Sequence, residues 1–309
     1  MRRAVSLVPS ATDIVVALGA ADSLVGISAD CDQPDASAPR PVVTRPLIDP
    51  AMATHDPAGL DAAVHGRMAT GGPLYSLDVE QVVALSPDVV FAQDNCAVCA
   101  LPSSEVTAAL AKLGVQCQVV SLDPGNLDDV LATFSTVGRA LGLAAAGTAL
   151  EASCRARLAA VAPLPAVSAQ PRVAVLDWVE PPYIAGNWVP DVVRAAGGEP
   201  VLASAGARSR ATTLEELAGS EPDLIVVAPC GLDLPAAEAA GRRFCEMAGG
   251  RDGVRRARIV AFDGRIWFSR PGPHLVEGAE ALAAWLVGAT PSRRVGTRAI
   301  TEANDEQGR

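Results

Sequence analysis

Short apolar runs recur along the chain, separated by segments of helical period. Ala4-Val5-Ser6-Leu7-Val8, Leu24–Ile27, Val89–Ala92, Cys117–Leu122, Arg172-Val173-Ala174-Val175-Leu176 and Leu224–Ala228 are strand-sized. Their continuity, rather than alternation, predicts parallel strands buried on both faces. The first strand of each half leads through a polar loop into a helix ending near glycine, at Gly19 and at Gly197-Gly198. Ser10-Ala11-Thr12-Asp13 reads as a capping box for the first of these helices. Asn126–Leu141 and Leu143–Ala162 have the composition of two further helices, the second about 30 Å long at ~1.5 Å per residue. Pro163-Leu164-Pro165 stops it, and Ala166–Pro171 is a linker.

One pattern occurs twice. Val79-Glu80-Gln81-Val82-Val83-Ala84-Leu85-Ser86-Pro87-Asp88-Val89-Val90-Phe91 is matched by Leu214-Glu215-Glu216-Leu217-Ala218-Gly219-Ser220-Glu221-Pro222-Asp223-Leu224-Ile225-Val226. Each copy reads as a short acidic-capped helix, then Pro-Asp, then a buried strand, with Glu and Pro at one spacing. The expected fold is α/β: two Rossmann-like lobes with parallel sheets, joined by one long α-helix, with a ligand cleft between the lobes. The boundaries that follow are 1–141 for the N-terminal lobe, 142–171 for the connecting helix and linker, 172–290 for the C-terminal lobe, and 291–309 for a disordered tail.

Composition narrows the function. Half of the 309 residues are hydrophobic, enough for a large core, and 19% are charged. A net charge of −10 argues against nucleic acid or an anionic membrane surface as partner. The apolar runs are far shorter than the ~20 residues a membrane helix needs, so no membrane insertion is expected. Arg2-Arg3 leads directly into the first strand, without the apolar stretch and small-residue cleavage site of a secretory leader. As written the chain is expected to be cytoplasmic, and periplasmic or extracellular only if its start codon is misassigned. Seven cysteines, odd in number and irregular in spacing, do not form a secreted disulfide framework.

The sequence resembles the helical-backbone substrate-binding proteins of cobalamin and siderophore ABC importers. The matching pieces are Ser6-Leu7-Val8-Pro9-Ser10-Ala11-Thr12-Asp13, Ala17-Leu18-Gly19, Leu24-Val25-Gly26 and the two Glu…Pro-Asp segments, spanning about residues 3–288. Within that family a leaderless subgroup labelled cobalamin-binding is most similar. It shares Cys31-Asp32-x-Pro34, Gln93-Asp94-x-Cys96-x-x-Cys99-Ala100, Trp178, Gly186-x-Trp188-Val189-Pro190, Pro229-Cys230-Gly231 and Arg270-Pro271-Gly272-Pro273. The resemblance implies a non-catalytic binding protein for cobalamin or a similar metal chelate. It also implies an ABC permease as partner, docked through Glu80 and Glu215. On the residues alone, each glutamate is equally an exposed acid favoured by its helix dipole.

Ligands in open parallel sheets bind beyond the carboxyl ends of the strands. That rule selects Pro9, Ser10, Gln93 and Asp94 in the first lobe and Trp178 in the second. Tyr75, Trp188 and Arg270 join them, the aromatics as covers for a flat macrocycle and Arg270 as a partner for a ligand carboxylate or amide or as a brace for its turn. Trp267 is expected in the core. Cys31, Cys96, Cys99 and Cys230 also fall at strand ends, as a thiolate set for zinc, for an iron–sulfur cluster or for a ligand-borne metal. Small packing residues and a labile dithiol are the alternatives. Such a set would make the chain a metal or iron–sulfur protein with redox or chelatase chemistry. No nucleotide loop, dinucleotide fingerprint or nucleophile elbow is present, and His55, His65 and His274 form no acid–base set.

Overall fold

The structure, a computed structural model, describes residues 1–94, 101–114, 116–161, 170–288 and 297–300. Elements run β1 (Ala4–Ser6), α1 (Pro9–Ala17), β2 (Leu24–Ile27), β3 (Thr44–Pro46), α2 (Met52–His55), α3 (Pro57–Ala69), β4 (Tyr75–Leu77), α4 (Val79–Leu85), β5 (Val89–Ala92), α5 (Ser103–Lys112), β6 (Gln118–Ser121), α6 (Leu127–Leu141) and α7 (Ala144–Ala159). They continue as β7 (Arg172–Val179), β8 (Pro182–Ile184), α8 (Val189–Ala195), β9 (Glu199–Pro200), β10 (Arg210–Ala211), α9 (Leu214–Gly219), β11 (Leu224–Val227), α10 (Leu234–Ala248), α11 (Asp252–Arg256), β12 (Arg258–Phe262), α12 (Gly264–Trp267), α13 (His274–Leu286) and β13 (Thr297–Ala299). The chain divides into two compact units. The first is built mainly from residues 1–52, 59–124 and 128–155, the second from 156 onward with 53–58 and 125–127.

In the first unit β2, β1, β5 and β6 form a parallel sheet in that order, with every residue of β1 and β5 buried. A separate antiparallel pair joins β3 to β4. Helix α1 starts earlier than its sequence suggests. Its N-cap is Val8, Pro9 fills the first turn, and no side chain caps it. The capping box at Ser10–Asp13 is therefore corrected: proline is preorganised for N1, which leaves Ser10 and Thr12 buried inside the helix. Residues 52–69 form α2 and the 13-residue α3.

Helix α7 has 16 residues, about 24 Å at ~1.5 Å per residue, so it is shorter than expected. The division between units falls within it, after Arg155. Its start packs closely on α6. A Cβ on Gly138 would lie 2.8 Å from the Gly147 Cα, and one on Gly147 would lie 2.7 Å from the Phe134 carbonyl. The linker at 166–171 lies largely outside the described residues.

The second unit departs from the all-parallel expectation. Strands β9, β7, β11 and β12 are parallel, but β8, β10 and β13 pair antiparallel at the margins, giving a seven-stranded mixed sheet among the described residues. Strand β13 lies inside the stretch expected to be a loose tail. Its three residues carry no readable periodicity, and pairing with β12 supplies their order.

The repeat is reproduced atom for atom at its Pro-Asp corner. The backbone N–H of Arg3 donates to Asp88 Oδ2 and that of Arg172 donates to Asp223 Oδ2, both at 2.7 Å. The guanidinium of Arg3 reaches the Leu85 carbonyl at 3.0 and 2.7 Å, and that of Arg172 reaches the Ser220 carbonyl at 3.1 and 2.8 Å. The residue before each proline is left-handed, Ser86 at φ 46° and Glu221 at φ 44°. Each corner thus ties the start of its central strand to the helix before the neighbouring strand.

Candidate functional site

In the first unit the carboxyl ends of the strands gather hydroxyls around one thiol. Cys31, half-buried, accepts from Thr12 Oγ1 at 3.0 Å and lies 3.1 Å from Ser28 Oγ. The Ala29 N–H donates to Thr44 Oγ1 at 2.9 Å and so fixes the start of that loop. After β5, Gln93 is half-buried and Asp94 exposed. Asp94 accepts from the Ser103 backbone N–H at 2.7 Å, Ser103 Oγ at 2.5 Å and Ser121 Oγ at 2.9 Å. Its own N–H donates to the Asp123 carboxylate. The Ser103 hydroxyl, above all, holds the Asp94 carboxyl below the usual carboxylate range. Asp94 therefore ties β5, α5 and β6 together.

Other expected contacts of this unit are occupied by the fold. Ser10 is buried, and Pro9 opens α1. Tyr75, on β4, packs partly against the core formed with Val5, Leu7, Val43 and Val82. Cys96 and Cys99 lie outside the described residues.

In the second unit the structure separates the expected aromatics. Trp178 is half-buried and its Nε1 donates to the Glu180 carbonyl at 3.0 Å. Trp188 is only 8% exposed, and its Nε1 donates to the Phe268 carbonyl at 2.7 Å. Trp188 stands at the N-cap of α8. Arg270, in the turn before α13, is 7% exposed. Trp267 is in the core as expected, 5.6 Å from Phe262 in an edge-on pair. Cys230 is exposed after β11, its N–H donating to the Asp177 carbonyl at 2.9 Å.

Sequence reasoning missed Asp177 and Ser209. Asp177 sits on β7 where the register against β8 shifts, between Leu176 and Trp178. Its Oδ2 accepts from Ser209 Oγ, which itself accepts from the Gly186 N–H at 3.0 Å. Burial pushes the Asp177 carboxyl up to about 6, against the lowering effect of Ser209. The available signal was a lone carboxylate inside the apolar run of β7.

Glu80 and Glu215 are both exposed in the first turn of their helices, α4 and α9. Arg251 brings two guanidinium nitrogens to one oxygen of Glu215, at 3.1 and 2.7 Å. Among the described residues, no three His, Cys, Asp or Glu side chains converge as a metal site, and no helix is long and apolar enough to cross a membrane.

Two α/β units built on one repeated corner, each offering loops beyond its parallel strands, define a ligand-binding class of protein. The chain belongs to the periplasmic binding protein family, whose profile matches residues 5–242. It is 25% identical to a cobalamin-binding protein of Halobacterium salinarum, over 91% of this chain and 68% of that relative. Among solved structures it is similar to the periplasmic haem-binding protein RhuT from Roseiflexus sp. RS-1, with a TM-score of 0.64 and 22% identity over 94% of this chain and 99% of that one. The periplasmic vitamin B12-binding protein BtuF of Vibrio cholerae is similar too, with a TM-score of 0.62 and 18% identity over 94% and 98%. At these identities the solved structures bear on the fold.

Proposed function

We propose that this protein binds cobalamin or a similar metal chelate, without catalysis, through the loops at the carboxyl ends of the strands in each unit. The observation that carries the reading is that each unit ends its parallel strands in polar loops, with Gln93 and Asp94 after β5 and Cys230 after β11. The named relative from Halobacterium salinarum supports a corrinoid as the ligand. Trp178 supplies a partly exposed aromatic surface, and Gln93 a neutral hydrogen-bonding head, both suited to an amide-rimmed macrocycle. Glu80 and Glu215 are the acids by which the units would dock on an ABC permease and deliver the ligand.

Calorimetric titration of the purified protein with cyanocobalamin, haemin and a ferric siderophore tests this. Saturable binding of one class at one site per chain is the expected outcome. Absence of heat and of any spectral shift with all three would remove the reading.

A further inference from the structure

We propose that Asp177 and Ser209 form a positioning tie that clamps the strap 204–209 onto the turn 186–188 and so sets the shape of the second unit's binding edge. The inference rests on the binding role proposed above for that edge.

Strap and turn meet backbone to backbone. A Cβ on Gly186 would lie 2.2 Å from the Ala207 carbonyl oxygen and 2.6 Å from the Ser209 nitrogen, so only glycine admits this approach. The Asn187 N–H donates to the Ala207 carbonyl at 2.5 Å, and the Gly206 N–H donates to the Asn187 carbonyl at 3.0 Å. Asn187 sits at φ 52°, a left-handed geometry that asparagine adopts more readily than most residues with a β-carbon. Ser209 adds the third point, linking the Gly186 N–H to the Asp177 carboxylate on the central strand.

Asp177 serves more than the strap. Its carbonyl holds the Cys230 N–H, and Trp178 follows it in the chain. From the turn, Trp188 carries the restraint on to the Phe268 carbonyl, two residues before Arg270. The shift of register at Asp177 is what aims its carboxyl at the strap rather than along the pleat. Asp177 is half-buried, and burial raises its pKa against the Ser209 hydroxyl and its own backbone N–H, which lower it. A carboxyl kept in such a place at the ligand end of a sheet needs a reason, and the tie supplies it.

Hydrogen–deuterium exchange on the ligand-free protein reads the tie directly. Ser209→Ala and Asp177→Ala should each speed exchange of the Gly186, Asn187, Gly206 and Ala207 amides at least tenfold, with β11 and β12 unchanged. Asp177→Asn keeps an acceptor for Ser209 and should restore wild-type exchange; the double alanine variant should be no worse than either single. The same alanine variants should weaken cyanocobalamin binding at least tenfold, with Asp177→Asn within about threefold of wild type. Unchanged exchange in the alanine variants, or an asparagine variant as fast as alanine, overturns the tie. Wild-type binding matched by the alanine variants overturns its role at the edge, whereas a wild type that binds no chelate overturns the binding role itself.

Discussion

Two aspartates at strand ends, Asp94 in the first unit and Asp177 in the second, show how one repeated scaffold carries two kinds of edge. Asp94 is exposed, meets three donors from two serines, and is held below the usual carboxylate range. Asp177 is half-buried, accepts from one serine hydroxyl, and is pushed up to about 6 by burial. Solvent and donors stabilise the first charge; burial penalises the second. Beneath them the two corners at Asp88 and Asp223 are the same to within tenths of an ångström. The repeat therefore preserves the frame and leaves the edges free to differ.

The largest effect should come from breaking the second edge where it is tightest. Gly186→Ala drives a Cβ into the backbone at 207–209 and should destabilise the protein by roughly 3 kcal/mol or more, read from the midpoint of urea unfolding. An effect below ~1 kcal/mol would mean that strap and turn can separate freely.

The aspartates themselves sharpen the contrast through the sign of their pH response. The folded pKa of Asp177 lies above the ordinary carboxylate value that the unfolded chain has, so the folded state retains a proton that the unfolded state loses. Its ionisation therefore lowers stability as pH rises from about 4 through about 6. Asp177→Asn should stabilise the protein at pH 7.5 by on the order of 2 kcal/mol, and the gain should vanish near pH 4. Asp94 has the opposite sign, because its folded pKa is lowered. Its contribution is present above the unfolded pKa and is lost as pH falls below it, so Asp94→Asn should destabilise slightly at neutral pH. Melting curves across pH for the two variants check both signs, and matching signs would refute the contrast.

Smaller still is the test of the shared frame. Asp88→Ala and Asp223→Ala each remove the acceptor of one strand-opening N–H, at about 1 kcal/mol. Equal losses in chemical denaturation are expected, and a clear inequality would show that the two corners only look alike.

Much of this protein was legible along the chain. The central strands, the helices α4 and α9 with their Pro-Asp corners, and the glycine ends of α1 and α8 all follow from patterns within a dozen residues of one another. Apolar runs, caps and turn residues act through the local backbone, so their signal survives in the sequence. The site was less legible. Trp188 and Ser10 looked suited to a ligand, and packing claims both; Asp177 finds its partner 32 residues away, across two strands and a helix. The margins of the second sheet escaped notice for a related reason, since β10 and β13 have two and three residues and exist only through their neighbours. Local order is determined by the sequence alone, because periodicity and turn chemistry need no partner. Which polar groups face a ligand, and which merely hold the walls, was decided only when distant segments met and solvent was excluded between them.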